Sequence, residues 1–151
     1  MELKVKIPEE EFIVIKFEQD EHVGIASINI GLKEFGQKIV FAWHLSIMIQ
    51  LDEMLNNGMP TQTEFDLVDR FESRLSNIFN VDDNKPNALY LARVTWNKTI
   101  ELIWRIYEPE DVNKDLSMII ANKEFNRSFD YRIDMDKDWE LAEWHLTQDD
   151  D

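Results

Sequence analysis

The chain has no cysteine among its 151 residues. That absence excludes disulfides, thiolate nucleophiles and cysteine-based zinc sites, and it is typical of proteins that fold in a reducing compartment. No window reaches the roughly 18 uncharged apolar residues of a membrane span, and residues 1–11 lack the apolar run of a signal peptide. No Gly/Ser linker or internal repeat divides the chain. We therefore expect one cytoplasmic domain over residues 1–151, frayed at residues 1–10 and 147–151.

Positive charge is also scarce. Sixteen Lys and Arg face 31 Asp and Glu, which gives a formal net charge of -15. Such a field repels nucleic acid and anionic membranes, and it speeds association with basic partners. Hydrophobic residues make up 44% of the chain and aromatic residues 11%, so the acidity does not prevent folding.

The first half of the chain predicts a hairpin, a long strand and a helix. Residues 12–17 and 23–30 are β-branched runs around a polar turn, and residues 39–51 alternate as one longer strand. Thr61 and Glu64 form a capping box that opens a helix ending near Phe79. The predicted apolar stripe of this helix comprises Phe65, Val68, Phe71, Leu75 and Ile78.

The second half predicts two strands, a helix, a last strand and a terminal helix. We expect strands at residues 88–96 and 100–107, joined by the three residues 97–99, because a two-residue turn would bring Arg93 onto the apolar face. The second helix begins at Pro109 with acids in its first turn. The remaining signals are a strand at 129–135 and a terminal helix capped by Asp136 that carries Trp139, Ala142 and Leu146.

From Ile39 onward the predicted order is strand, helix, strand, strand, helix, strand. This is the order of the split βαβ unit. The sequence therefore predicts an α+β fold, a ferredoxin-like βαββαβ antiparallel sheet with an added N-terminal β-hairpin and a C-terminal helix.

The sequence contains no recognisable metal-binding or catalytic motif. The three histidines have no ligand spacing. The string Asp134, Asp136, Asp138 opens like a calcium loop, but Trp139 stands where that loop needs glycine and His145 where it needs glutamate. We predict no metal and no cofactor, and the absence of a catalytic constellation favours binding over catalysis.

The chain resembles a bacterial family of small domains known as domain of unknown function 695. The resemblance rests on residues 28–32 (INIGL), 63–66 (TEFD), 129–134 (FDYRID) and 138–140 (DWE). Members of this kind are similar in architecture to the acidic protein that regulates ribonuclease E activity, which implies a ferredoxin-like fold and inhibition by binding. The Asp-rich end departs from the aromatic-Pro ending expected in the family.

Two functions follow as hypotheses. In the first, the protein is an acidic protein-binding module, an inhibitor or immunity protein that masks a basic nuclease or toxin and exists as a monomer or homodimer. Its predicted partner-binding residues are Glu64, Asp66, Asp69, Glu72, Asp136, Asp138, Glu140, Glu143 and Trp144.

In the second, a small anionic ligand is bound, or weakly transformed, on a sheet face that the helices leave open. Arginine forks suit carboxylates and phosphates. The predicted ligand face comprises His44, Arg93, Arg105 and Arg132, and the alternative for its arginines is ordinary cross-strand pairing with acids.

Overall fold

The computed structural model describes residues 5–82 and 84–149, and within them the chain is an α+β fold with a six-stranded antiparallel sheet. The predicted fold class is confirmed at this level. The strands are β1 (Phe12–Gln19), β2 (His22–Asn29), β3 (Trp43–Gln50), β4 (Ala88–Trp96), β5 (Thr99–Ile106) and β6 (Phe129–Met135). The α-helices are α1 (Gln62–Phe79), α2 (Pro109–Ala121) and the short α3 (Glu143–Leu146).

The strands lie in the order β1-β2-β4-β5-β3-β6, and each neighbouring pair is antiparallel. The predicted N-terminal hairpin is confirmed, and it extends the sheet through pairing of β2 with β4. Among the described helices, none is long and apolar enough to cross a membrane.

Each face of the sheet carries its own hydrophobic core. On the helix face, α1 and α2 pack against the alternate strand residues that point to that side, including Leu45, Ile47 and Trp104. We call the opposite side the turn face. There, three 3-10 turns and α3 cover the strand residues that point the other way, including Ala26, Ile28 and Ile103. The 3-10 turns are Ile30–Leu32, Lys38–Phe41 and Glu140–Ala142. Both faces are therefore largely closed, which limits where a ligand can enter.

The N-terminus of the third strand differs from the prediction. Residues 38–41 form a 3-10 turn, and the strand begins at Trp43 rather than at Ile39. The turn allows Phe41 to enter the turn-face core, where it is buried. Within the strand itself the side chains alternate as predicted, since Leu45, Ile47 and Ile49 all face the helices.

The predicted three-residue connection between β4 and β5 is wrong. Asn97 and Lys98 form a two-residue turn with φ of 40° and 67°, so Trp96 lies opposite Thr99. Two successive positive φ angles match the type I′ turns that suit the right-handed twist of hairpin strands. An irregularity in register between Tyr90 and Ala92 then places both Tyr90 and Arg93 on the helix side.

The first helix begins and ends as predicted, but its buried stripe differs at both ends, where Glu64 and Phe79 are buried instead of Phe65 and Ile78. Thr61 caps the helix by accepting a hydrogen bond from the Glu64 N–H at 3.4 Å. Phe79 is buried, Ile78 is only half-buried, and Phe65 is exposed at the margin of the stripe. Fully buried positions of α1 include Val68, Phe71 and Leu75.

The ends of the chain are held to different degrees. Residues 5–10 have no regular secondary structure, yet Val5 and Ile7 pack against the turn-face core. At the other end, the predicted single terminal helix is wrong, because a 3-10 turn at Glu140–Ala142 precedes the short α3 and Trp139, not Asp136, is the N-cap residue of that turn. The Asp136 carboxylate nevertheless accepts hydrogen bonds from the backbone N–H groups of Glu140 and Leu141, both at 3.0 Å. The parts of the predicted frayed ends at residues 1–4 and 150–151 lie outside the described residues.

Candidate functional site

The predicted ligand face does not form as an open site. Arg93 lies on the helix face, away from the other three residues. Arg105 is fully buried and His44 is only 5% exposed, so neither can meet a ligand from solvent. Arg132 is exposed and pairs with Asp134 at 3.3 Å. The expectation of an accessible arginine and histidine cluster is therefore wrong, because the C-terminal segment covers that part of the sheet.

Arg105 instead joins separate segments of the backbone. Its Nη1 donates to Asp136 Oδ2 at 2.8 Å, and its Nη2 donates to the Asp136 carbonyl at 2.6 Å. Nε and Nη2 both donate to the Phe41 carbonyl, at 3.3 and 3.2 Å. Nη1 also lies 3.1 Å from His44 Nδ1, which must accept because a guanidinium has no acceptor. This set of bonds satisfies a buried charge, as burial of an ion requires.

Trp139 completes the same cluster. Its ring lies under the Arg105 guanidinium with 4.4 Å from Cζ to the ring centroid, a cation–π geometry. Its Nε1 donates to the carbonyls of Lys38 and Phe41 at 2.8 and 3.1 Å. The backbone of Trp139 has φ of 58°, which is uncommon for a bulky residue and persists only where surrounding contacts determine it. The cluster thus fixes the C-terminal segment to the sheet.

Two histidines on this side of the sheet are held neutral. Burial, followed by the nearby charge of Arg105, lowers the pKa of His44 to about 4. Burial also lowers the pKa of His145 to about 4. Both imidazoles are therefore uncharged at neutral pH, and neither is open to solvent as a general base.

Three of the four acidic residues predicted on α1 are at least partly exposed. Asp69 and Glu72 both pair with Arg93, at 2.6 and 2.8 Å. Glu72 also accepts a hydrogen bond from the Tyr90 hydroxyl, and burial together with the Glu72 charge raises the pKa of Tyr90. Asp66 is exposed and accepts from the Gln62 side-chain amide at 2.8 Å.

Glu64 cannot be the partner-binding residue that the sequence suggested, because it is completely buried. Arg127 donates to its carboxylate from Nε at 2.9 and 3.0 Å, and the Glu53 backbone N–H donates at 3.2 Å. The hydrogen bonds from Arg127 hold the pKa of Glu64 below its usual range. Glu64 therefore ties α1 to the segment before β6.

We expect the substitution Glu64→Gln to destabilise the protein by about 2 kcal/mol, because it weakens charge-assisted hydrogen bonds to Arg127. Chemical denaturation at pH 7 measures the loss. The matched control is Asp66→Asn, an isosteric removal of charge two residues along the same helix on an exposed side chain, where we expect a change within about 0.5 kcal/mol. Equal effects of the two substitutions would contradict a special role for the buried pair.

Exposed acids and apolar side chains remain together in the C-terminal segment. Asp138, Glu140 and Glu143 are exposed, and Trp144 in the same segment is 44% exposed. The Trp144 ring contacts Phe17 edge to face with 5.5 Å between centroids, which limits its freedom. We call Asp138, Glu140, Leu141, Glu143 and Trp144 the C-terminal acidic surface. The predicted Asp136 does not belong to it, because that side chain is nearly buried against Arg105.

A second feature is a cleft of about 780 Å³ at one end of the sheet. The end of α1, the loop before β4, the β5–α2 connection and the first turns of α2 surround it, and Val40 and Phe41 close its turn-face side. This cleft was not predicted, since its lining comes from segments far apart in sequence. Near the cleft, the one signal in the sequence was an apolar residue, Val81, in an otherwise polar loop. Its side chain is exposed in the structure.

Metal ligation finds no support within residues 5–82 and 84–149, where no cluster of three or more potential ligand side chains is present. The Asp134, Asp136, Asp138 string is separated by its pairings, since Asp134 contacts Arg132 and Asp136 contacts Arg105.

Comparison with curated proteins gives no match, and comparison with solved structures gives none either. The family model described as a family of unknown function (DUF695) matches residues 14–144. The match begins within β1 and ends at Trp144. It includes β2 to β6 and the cluster of Arg105, Asp136 and Trp139. The resemblance predicted from the sequence is confirmed, and the chain belongs to the DUF695 family.

Proposed function

We propose that the protein binds a basic protein partner through the C-terminal acidic surface. The observation that carries the proposal is an exposed tryptophan framed by exposed carboxylates within seven residues, Asp138 to Trp144. Tryptophan is enriched among residues that dominate binding energy at interfaces. Surrounding carboxylates steer a basic partner and set the orientation of the encounter.

The charge distribution supports this choice of partner. Arg74, Arg93, Arg105, Arg127 and Arg132 each pair with a carboxylate of the same chain. Internal pairing leaves few free guanidinium groups, whereas the net charge of -15 requires many carboxylates without a cation. The field around the protein is therefore strongly negative and attracts cationic surfaces.

We propose further that binding masks the partner, as an inhibitor or immunity protein masks a basic nuclease or toxin. Nucleic-acid-binding surfaces are rich in Lys and Arg, so a carboxylate-bearing surface competes with the nucleic acid for them. The strand order β4-β5-β3-β6 with α1 and α2 on one face supports a ferredoxin-like unit within the sheet. The lack of cysteine fits action in a reducing compartment such as the cytoplasm.

The experiment is capture of partners from a lysate of the native host on immobilised protein, followed by elution with rising salt. We expect a basic protein to bind the parent chain and to leave at moderate salt, because exposed charge pairs are screened. The variant Trp144→Ala should lose the anchor and weaken binding by about tenfold or more. Asp66→Asn serves as control, since it removes one exposed acid outside the proposed surface.

Two results would contradict the proposal. One is a captured partner whose retention does not change with salt, because carboxylate steering then plays no part. The other is a partner lost equally from Trp144→Ala and Asp66→Asn, because general acidity would then explain binding without the C-terminal surface.

A further inference from the structure

The cleft at the end of the sheet combines an apolar floor with an acidic mouth. We propose that it binds a small organic cation, an amine carried on an apolar body. None of its lining residues belongs to the C-terminal acidic surface, so this inference does not depend on the proposed protein partner.

The floor of the cleft is apolar and fixed. Phe41, Phe79 and Val112 line it, and all three are buried members of the two cores. Ile78 and Val40 add half-buried aliphatic surface at its sides. A body without polar groups gains free energy in such a place because it is removed from water.

The mouth of the cleft carries an excess of negative charge. Asp82, Glu108, Asp111 and Asp115 line it, against only Lys85 and Lys114. Among the described residues, none of these side chains takes part in an ion pair within 4.0 Å. Burial and the neighbouring charge of Asp111 raise the pKa of Asp115. A cation placed between Asp111 and Asp115 would relieve their mutual repulsion.

An aromatic ring also stands at this mouth. Tyr107 lines the cleft and is 43% exposed. Rings with an accessible face attract ammonium groups by cation–π interaction, the principle used by sites that bind quaternary ammonium ligands. Carboxylates and an aromatic ring together select a cation over an anion or a neutral polar group.

Hydrogen bonds join the described segments that form the walls of the cleft. Asn87 and Glu108 join the two loops, since the Asn87 side chain donates to the Glu108 carbonyl at 3.0 Å and accepts from its N–H at 2.8 Å. Asn80 at the end of α1 accepts from the N–H groups of Asn87 and Ala88, at 2.8 and 2.9 Å. Walls joined in this way lose less entropy when a ligand binds.

The volume decides between a small molecule and a protein segment. At about 780 Å³ the cleft lies within the roughly 300–1,000 Å³ range of small-molecule sites. It is bordered by the ends of two helices, two loops and a 3-10 turn rather than extended along one strand or helix, whereas peptide grooves follow secondary structure. We therefore assign it to a compact ligand.

Nuclear magnetic resonance titration of the full chain tests the proposal with three probes of matched size. These are phenethylammonium, neutral 2-phenylethanol and anionic 3-phenylpropionate. We expect phenethylammonium to shift the amide signals of Tyr107, Asp111 and Val112 and to bind at least fivefold more tightly than the alcohol, with the anion weakest. Equal affinity for the cation and the alcohol, or shifts confined to other parts of the sheet, would overturn the proposal.

The double substitution Asp111→Asn with Asp115→Asn separates the charge at the mouth from the apolar floor. We expect it to weaken phenethylammonium about fivefold or more while leaving 2-phenylethanol unchanged, as loss of a screened charge contact predicts. The control is Asp66→Asn with Asp69→Asn, which removes two acids from α1 away from the cleft. If both double variants weaken the cation equally, net charge accounts for binding and the site is not specific.

Discussion

Replacing Arg105 with methionine is expected to destabilise the protein by about 3–5 kcal/mol, the usual effect of removing one partner from a buried ion pair. Methionine fills a similar volume, so the loss comes from the polar partners that remain. Asp136 would keep a carboxylate with little solvent around it, and the Phe41 carbonyl would lose two donors. Since total stability of a domain is only about 5–15 kcal/mol, the variant should be near its unfolding threshold.

Urea denaturation of the parent and of Arg105→Met at pH 7 measures this effect. Arg132→Met is the matched control, because Arg132 also pairs with an aspartate but is largely exposed, and we expect a change below about 1 kcal/mol. Arg105→Lys should fall between the two, since an ammonium cannot reproduce the planar set of donors. A loss below about 1 kcal/mol for Arg105→Met would show that the cluster does not hold the C-terminal segment.

Near-ultraviolet circular dichroism of purified Arg105→Met provides a second readout. The near-ultraviolet circular dichroism of the partly folded variant should lose the contribution of Trp139, which stacks under the guanidinium. The spectrum of Trp139→Phe identifies that contribution, because Trp139 is the only described tryptophan with a cation–π contact to Arg105.

Periodicity in the sequence was enough to predict most of the elements. The hairpin, α1, α2 and β6 all carry a clear alternation or a helical stripe, and each is present near its predicted bounds. Local signals of this kind depend on neighbouring residues, which is why the cap at Thr61 could be predicted correctly. The added hairpin at one edge of the sheet was likewise predicted from local pattern.

Register and burial of charge depend on contacts distant in sequence, and there the prediction failed. Arg93 was placed with Arg105 because a three-residue connection was assumed, whereas the two-residue turn pairs Arg93 with Leu102 on the helix face. The irregularity after Tyr90 then keeps Tyr90 on that face as well. Glu64 was expected in solvent because its burial depends on Arg127, which is 63 residues away. Neither the face on which Arg93 lies nor the burial of Glu64 can be predicted from the residues of a single strand or helix.

The candidate sites show the same division. Trp144 was predicted from the sequence as a partner-binding residue, and its side chain is exposed. The cleft depends on α1, two loops and a 3-10 turn meeting at one end of the sheet. Of its acids, Asp111 was interpreted in the sequence only as a first-turn residue of the second helix, and Asp115 was not singled out.

Lowering the pH from 7 toward 4 is expected to destabilise the protein by several kcal/mol through His44 and His145. Each imidazole is neutral in the folded state with a pKa near 4, whereas an unfolded histidine titrates near 6.5. Below about pH 6.5 the unfolded chain binds protons that the folded chain refuses, so stability falls with falling pH until about pH 4. Linkage gives a limit of about 3 kcal/mol for each ring.

The sum is expected to be smaller than twice that value, because the charge of His145 itself contributes to the low pKa of His44. Urea midpoints measured at intervals between pH 7 and pH 4 give the slope. His44→Gln keeps an acceptor toward Arg105, and His145→Gln removes the second ring, so each variant should flatten the curve above pH 4. The matched control for loss of one imidazole is His22→Gln in the β1–β2 hairpin.

A separate decline belongs to the carboxylates and lies at lower pH. Hydrogen bonds from Arg105 and from backbone N–H groups hold the pKa of Asp136 below its usual range, and Arg127 does the same for Glu64. Their contribution is present above the unfolded carboxyl pKa of about 4 and is lost as pH falls further. A curve that stays flat from pH 6.5 to 4.5 and drops only below would contradict the histidine assignment, since carboxylates alone would then explain acid unfolding.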